Sequence, residues 1–85
     1  MKNKFVFLII TDDYKKVVVK GFKTMKDNPF YGIKLEDFDY KLKPNYLIFN
    51  NLKRAKNVIT HYHFKELAEE NNCKFKVYNM ICHEY

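Results

Sequence analysis

Residues 5–10 read FVFLII, and this short run decides the fold. Side chains of a β-strand alternate between the two faces of a sheet, so the odd-numbered residues point to one face and the even-numbered residues to the other. Both sets are apolar, so both faces of this strand need cover. The sequence offers only one convincing helical stretch, at residues 52–70, and one helix covers one face. We therefore predict that something else covers the second face: a second copy of the chain, a different protein or a nucleic acid.

Length and composition indicate one small globular domain, residues 1–85. Hydrophobic residues make up 47% of the chain and charged residues 31%, which is typical of a folded protein. The apolar run at 5–10 is too short for a signal peptide or a membrane span, so we expect no membrane association. Cys73 and Cys82 lie too far apart along a predicted strand to bond directly. Reduced thiols are typical of the cytoplasm, which is the predicted location.

The order of elements predicts an α+β fold: a small, mostly antiparallel sheet of three to four strands with one main helix on one face, in the order ββ(β)βαβ. Residues 24–42 form an undecided segment: residues 24–32 contain the loop signal Asp27-Asn28-Pro29, and residues 33–42 are left open between an edge strand, a single helical turn and an ordered loop. The predicted elements are strands at 4–11 and 16–23, this undecided segment, a strand at 46–49, a helix at 52–70 and a strand at 74–83.

The predicted helix changes its apolar face near the middle. Asn50 and Asn51 are both good N-cap residues, and a first apolar stripe runs from Leu52 to Tyr62. A second stripe, from Phe64 to Ala68, is rotated by about a third of a turn or more. The helix is therefore expected to be bent or split at residues 61–63.

The last strand alternates, and Tyr78 and Met80 are predicted to share the face that the helix leaves open, with Val18 from the second strand. Such an apolar patch favours binding of a partner protein or a homodimer through the sheet face. The alternative is that residues 24–42 fold back across it, using Phe30, Tyr31, Leu35, Phe38 and Tyr40. The residues assigned to the partner-binding face, with the lysines that flank it, are Lys16, Lys20, Phe22, Lys74, Lys76, Tyr78 and Met80.

The net charge of +6 favours an anionic partner. Lys53, Arg54 and Lys56 stand at the start of the predicted helix, where cations oppose the helix dipole. A phosphate or carboxylate there would meet these side chains and free backbone N–H groups. The predicted contact is a nucleic acid or an acidic protein surface, and the alternative is solvated lysines.

Lysines interleaved with aromatic residues on an open sheet are also typical of proteins that stack single-stranded RNA or DNA. The strand signature of RNA-recognition motifs is absent, and no pair of consecutive helices predicts a helix-turn-helix. A protein-binding or dimerising face is therefore preferred, with the nucleic-acid face as the alternative.

Enzymatic chemistry finds little support in the sequence. On one continuous helix, His61 and His63 would point roughly 200° apart and could not share a metal ion. No CxxC or HxxxH spacing completes a zinc site, and no glycine-rich loop cradles a phosphate. We therefore expect neither an enzyme nor a bound metal or cofactor.

A resemblance covers the run YLIFNNLKRAKNVI, the helix after it and the strand KFKVYNMI, and is carried by Leu52, Ala55, Lys56 and Ile59. This unit resembles small uncharacterised proteins of bacteriophages and prophages. Many of those are non-enzymatic accessory factors, and some, including anti-CRISPR proteins, block host defence by binding its nucleoprotein machinery. The resemblance implies a phage-borne inhibitor in the cytoplasm of a bacterial host, with a host nucleoprotein complex as its partner. It implies no functional residue.

Overall fold

The computed structural model describes residues 3–21 and 27–83, which form a five-stranded sheet and two helices. The predicted α+β class and element order are confirmed, and the undecided segment contributes an edge strand. The elements are β1 (Asn3–Thr11), β2 (Lys16–Val19), β3 (Lys34–Asp37), β4 (Ile48–Phe49), α1 (Leu52–Val58), α2 (Tyr62–Glu70) and β5 (Phe75–His83).

The central strand is β1, which carries the run that decides the fold. Along one edge it pairs antiparallel with β5 over its whole length, with Thr11 opposite Phe75 at one end. Along the other edge it pairs first with β2, where Ile10 lies opposite Val17, and further back with β4. β2 in turn pairs antiparallel with β3. β3 and β5 are therefore outer strands of the sheet, and the two-residue β4 ends the order on the side that it shares with β2.

The helices cover one face of the sheet and enclose the larger core. Phe75 and Val77 of β5 pack against this core, as predicted from their alternation. The buried residues of the helix-side core are Ile9, Val18, Leu47, Phe49, Ala55, Phe64 and Leu67.

The predicted helix is split, and each half has its own cap. Oδ1 of Asn51 accepts a hydrogen bond from the backbone N–H of Arg54, with 3.1 Å between oxygen and nitrogen, and so caps α1. Nδ1 of His61 accepts the N–H of His63 at 3.3 Å and caps α2. Because α1 ends at Val58, the first predicted stripe does not stay on the core: Leu52 and Tyr62, at its two ends, are exposed.

The second face of the sheet is also covered, by residues 38–46. Phe38 and Tyr46 are buried against the apolar even-numbered side of β1 and against Val17 and Val19. The prediction of an open second face is therefore wrong for its centre, and the fold-back alternative holds from Phe38 onward. Folding back satisfies the apolar β1 side chains within the chain itself, without a partner.

Only part of the undecided segment follows that alternative. Phe30 and Leu35, which were expected on the second face if the segment folded back, pack on the helix side instead. Tyr78 and Met80 sit at the margin of the covering segment and are half-buried.

Polar contacts hold the covering segment in place. The Tyr46 hydroxyl donates to the Asp39 carboxylate at 3.2 Å, and Lys43 forms an ion pair with Asp39 at 2.7 Å. Hydrogen bonding to the Lys43 ammonium lowers the pKa of Asp39, and burial raises the pKa of the Tyr46 hydroxyl. The segment is thus fixed by both apolar and charged contacts.

None of the helices in residues 3–21 and 27–83 is long and apolar enough to cross a membrane.

Candidate functional site

The structure divides the predicted partner-binding residues between the two faces of the sheet. Ile10 lies opposite Val17 in the β1–β2 pairing, so Val17 and Val19 lie on the second face together with Ile10. Val18 therefore lies on the helix side, not beside Tyr78 as predicted. The physical reason is the four-residue connection after Thr11, which pairs even-numbered residues of β1 with odd-numbered residues of β2.

The lysines follow the same division. Lys16 and Lys20 share the strand side of Val18, and Lys16 is paired with Asp37. Lys76 shares the side of Tyr78, and its ammonium lies 5.6 Å from the centre of the Tyr14 ring. The predicted Phe22 lies outside the described residues. The remaining four predicted residues stay together on one strand. Lys76, Tyr78 and Met80 belong to β5, and Lys74 directly precedes it.

Backbone groups of β5 point outward along its whole outer edge. The Asp12 N–H donates to the Lys74 carbonyl at 2.8 Å, and bonded and non-bonded pairs alternate along an antiparallel ladder. The even-numbered residues of β5 therefore bond to β1. The N–H and C=O groups of Val77, Asn79 and Ile81 point away from it, and no other strand in residues 3–21 and 27–83 pairs with β5.

β3 and β5 differ in how their outer edges are protected. β3 has four residues and reads KLED. A short, highly charged edge strand disfavours pairing with another chain. β5 has nine residues and reads FKVYNMICH, with Lys76 as its only lysine. A long edge strand of this composition is a template for pairing with another chain.

An exposed apolar pair lies at the far end of the β1–β5 ribbon. Phe5 and Ile81 are opposite each other in the register, on the helix side of the sheet. Their exposed fractions are 57% and 52%, whereas Ile9 on the same side is fully buried. The helices therefore do not reach this end of the ribbon, and the pair adjoins the outer edge of β5.

A groove of about 610 Å3 runs beside α1. Its lining contains the basic side chains of Lys53, Arg54 and His61, the ring of Phe30, three asparagines and a threonine. None of the described residues that line it is acidic. Lys56, predicted together with Lys53 and Arg54 as an anion contact, is exposed but lies outside the lining. The structure thus groups two of the three predicted basic residues in one concave surface.

A second groove, of about 530 Å3, lies between α2 and the loop before β3. Glu66 and Glu70 line it together with Lys34 and His63, so its charges are mixed. The absence of carboxylates therefore distinguishes the groove beside α1 from its neighbour.

An aromatic cluster at the helix break was missed by the sequence interpretation. The rings of His61 and His63 stack with their centres 5.2 Å apart, because His61 lies outside the helix and acts as its cap. Tyr62 stacks on His61 at 4.7 Å, and Phe30 meets His61 edge to face at 5.2 Å. The prediction that the two histidines point apart is wrong, since it assumed an unbroken helix. The slip in apolar register at residues 61–63 was the signal that located this break.

The described residues contain no group of three or more His, Cys, Asp or Glu side chains placed to hold a metal ion. The His63 ring instead contacts the Asn28 amide, with 2.8 Å between Nε2 and the amide nitrogen. Cys73 and Cys82 are both free thiols, and burial raises the pKa of Cys73. A raised pKa disfavours the thiolate, so Cys73 is a poor candidate nucleophile.

Comparison with known proteins gives no family model, no curated protein and no solved structure that matches this chain.

Proposed function

We propose that the protein is a non-enzymatic interaction protein that binds an extended segment of a partner protein along the outer edge of β5. The observation that carries this proposal is the set of outward backbone groups at Val77, Asn79 and Ile81, which no described strand satisfies. An added strand would pair with these groups and extend the sheet, which is an established mode of peptide recognition.

The surroundings of the edge indicate the chemistry of the partner segment. The exposed Phe5 and Ile81 offer an apolar contact at one end of β5. The exposed Lys74 and Lys76 offer a positive contact at the other end. Cross-strand neighbours of opposite charge or shared apolar character stabilise paired strands. The expected segment therefore carries apolar side chains near Ile81 and acidic side chains near Lys76.

The resemblance to phage accessory proteins makes host nucleic-acid-targeting defence complexes the first partners to screen. Tagged protein would be used to capture partners from infected bacterial cells, with and without nuclease treatment. A partner bound directly through the β5 edge survives nuclease, whereas one held through a shared nucleic acid is lost.

The decisive variant replaces Asn79 by Pro. Its amide points away from β1, so proline removes one outward donor and leaves the β1–β5 ladder intact. Asn79→Thr is the matched control, because threonine keeps the backbone N–H and suits a strand. We expect capture to fall at least tenfold for Asn79→Pro and to persist for Asn79→Thr, with both variants folded by circular dichroism. Equal capture by the two variants would rule out the edge as the binding site.

Amide hydrogen exchange tests the same proposal without reference to any variant. In the free protein, the amides of Val77, Asn79 and Ile81 should exchange quickly and those of Tyr78 and Met80 slowly. Addition of a captured partner should slow the first set alone. Light scattering completes the test: a dimer whose formation Asn79→Pro abolishes would identify the partner as a second copy and would contradict a heterologous segment.

A further inference from the structure

The groove beside α1 has the composition of a binding site for an anionic, partly aromatic ligand. Lys53 and Arg54 provide permanent positive charge, and no carboxylate among the described lining residues neutralises it. Arg54 is suited to phosphate because its planar guanidinium forms paired hydrogen bonds with two oxygens. The volume of about 610 Å3 lies within the range of ordinary ligand sites.

The remaining lining suits a nucleobase. The rings of Phe30 and His61, both in the lining, meet edge to face, and the half-exposed Tyr62, outside the lining, stacks on His61. Aromatic faces bind unstacked bases with little regard to sequence. Side-chain amides such as that of Asn57 provide both donors and acceptors for base edges.

We propose that this groove binds a nucleotide segment of single-stranded nucleic acid, with Lys53 and Arg54 on phosphate and the aromatic cluster of Phe30, His61 and Tyr62 beside a base. No residue of β5 lines this groove, so the proposal for the groove and the proposal for the β5 edge can each fail without the other. It also differs from the predicted nucleic-acid face, because the centre of the sheet face is covered by Phe38 and Tyr46. A duplex offers no unstacked base, so the groove selects single strands.

Fluorescence anisotropy with labelled 12-mers of poly-dT and poly-U tests the proposal at two salt concentrations. The test variant is Lys53→Ala/Arg54→Ala. The matched control is Lys41→Ala/Lys65→Ala, which removes the same charge from exposed residues outside the groove. We expect the test variant to bind at least tenfold more weakly at low salt and the control to bind within about threefold of wild type.

The dependence on salt gives a second readout. Loss of two phosphate contacts should reduce the slope of log affinity against log salt by about 1.4 for a single strand. The poly-dT and poly-U arms distinguish DNA from RNA, and preferential binding of either supports the site. Equal weakening by the test and control variants would show general attraction to a basic surface and overturn the proposal. Equal binding of a duplex, or no binding by wild type at low salt, would do the same.

Discussion

Phe5 and Ile81 face each other across the β1–β5 ladder, and each is more than half exposed. Four residues further along the same two strands, and on the same side of the sheet, Ile9 and Val77 lie opposite each other, and Ile9 is fully buried. The same ribbon therefore changes from core to surface along its length without changing its apolar pattern. Apolar side chains at an exposed strand end stabilise the isolated fold little, so their contribution is expected in a complex.

The first prediction concerns this pair. Phe5→Ser and Ile81→Ser should each weaken capture of the partner by fivefold or more. The free energy of unfolding should fall by less than about 1 kcal/mol, since each side chain is already largely exposed. Capture assays and urea denaturation of the same preparations check the two expectations together.

The matched control for these variants is Tyr31→Ser, an aromatic side chain that is 45% exposed but lies in the loop before β3. It should leave capture unchanged. If Phe5→Ser unfolds the protein while Tyr31→Ser does not, Phe5 belongs to the core of the fold and not to a contact surface.

Local patterns were sufficient to predict most of the architecture. The doubly apolar run in β1, the alternation of β5 and the cap at Asn51 each determine structure through neighbours in sequence. The slip in apolar register near residues 61–63 predicted the break between α1 and α2 for the same reason. These features need no knowledge of distant contacts.

Features that depend on long-range register could not be predicted in this way. The side on which Val18 lies is set by its pairing with β1, and the assumed parity was wrong. The cover provided by Phe38 and Tyr46 depends on how a loop returns to the sheet. The groove beside α1 unites Phe30 with Arg54, residues from separate parts of the chain. Its basic half was predicted from sequence, but its aromatic wall was not.

The second prediction tests the cover of the second face. Phe38 is 6% exposed and its ring lies 5.5 Å from that of Tyr78. Phe38→Ala should lower the free energy of unfolding by about 3 kcal/mol or more, because it removes a buried aromatic side chain and leaves a cavity. Denaturant unfolding measures the loss. Tyr40→Ala, which removes an exposed ring from the same segment, should have a much smaller effect, and equal effects would contradict the assignment of Phe38 to the core.

The third prediction concerns pH. Lys43 lowers the pKa of Asp39, and hydrogen bonds from the Thr11 hydroxyl and the Lys16 ammonium lower the pKa values of Asp13 and Asp37. A carboxyl group whose folded pKa is depressed stabilises the fold above its unfolded pKa, near 3.9 for aspartate. That stabilisation is lost as the pH falls through the lower folded pKa.

We therefore expect the free energy of unfolding to decrease as the pH is lowered from about 5 to 2. Asp39→Asn should flatten this dependence, because asparagine does not titrate. Thermal denaturation across this pH range provides the measurement. An unchanged slope in Asp39→Asn would show that Asp39 does not contribute through its ion pair with Lys43.

The last prediction concerns the only two glycines of the chain, which pack against each other. A Cβ atom added to Gly21 would lie 1.8 Å from the carbonyl oxygen of Gly32, a distance that the backbone cannot accept without moving. Gly21→Ala should therefore lower the free energy of unfolding by about 3 kcal/mol, as expected for overpacking against rigid atoms. Lys20→Ala, at the exposed neighbouring position, should change it by less than about 0.5 kcal/mol. Gly32 lies just before β3. If Gly21→Ala had the same free energy of unfolding as wild type, the loop before β3 would not pack closely on the end of β2.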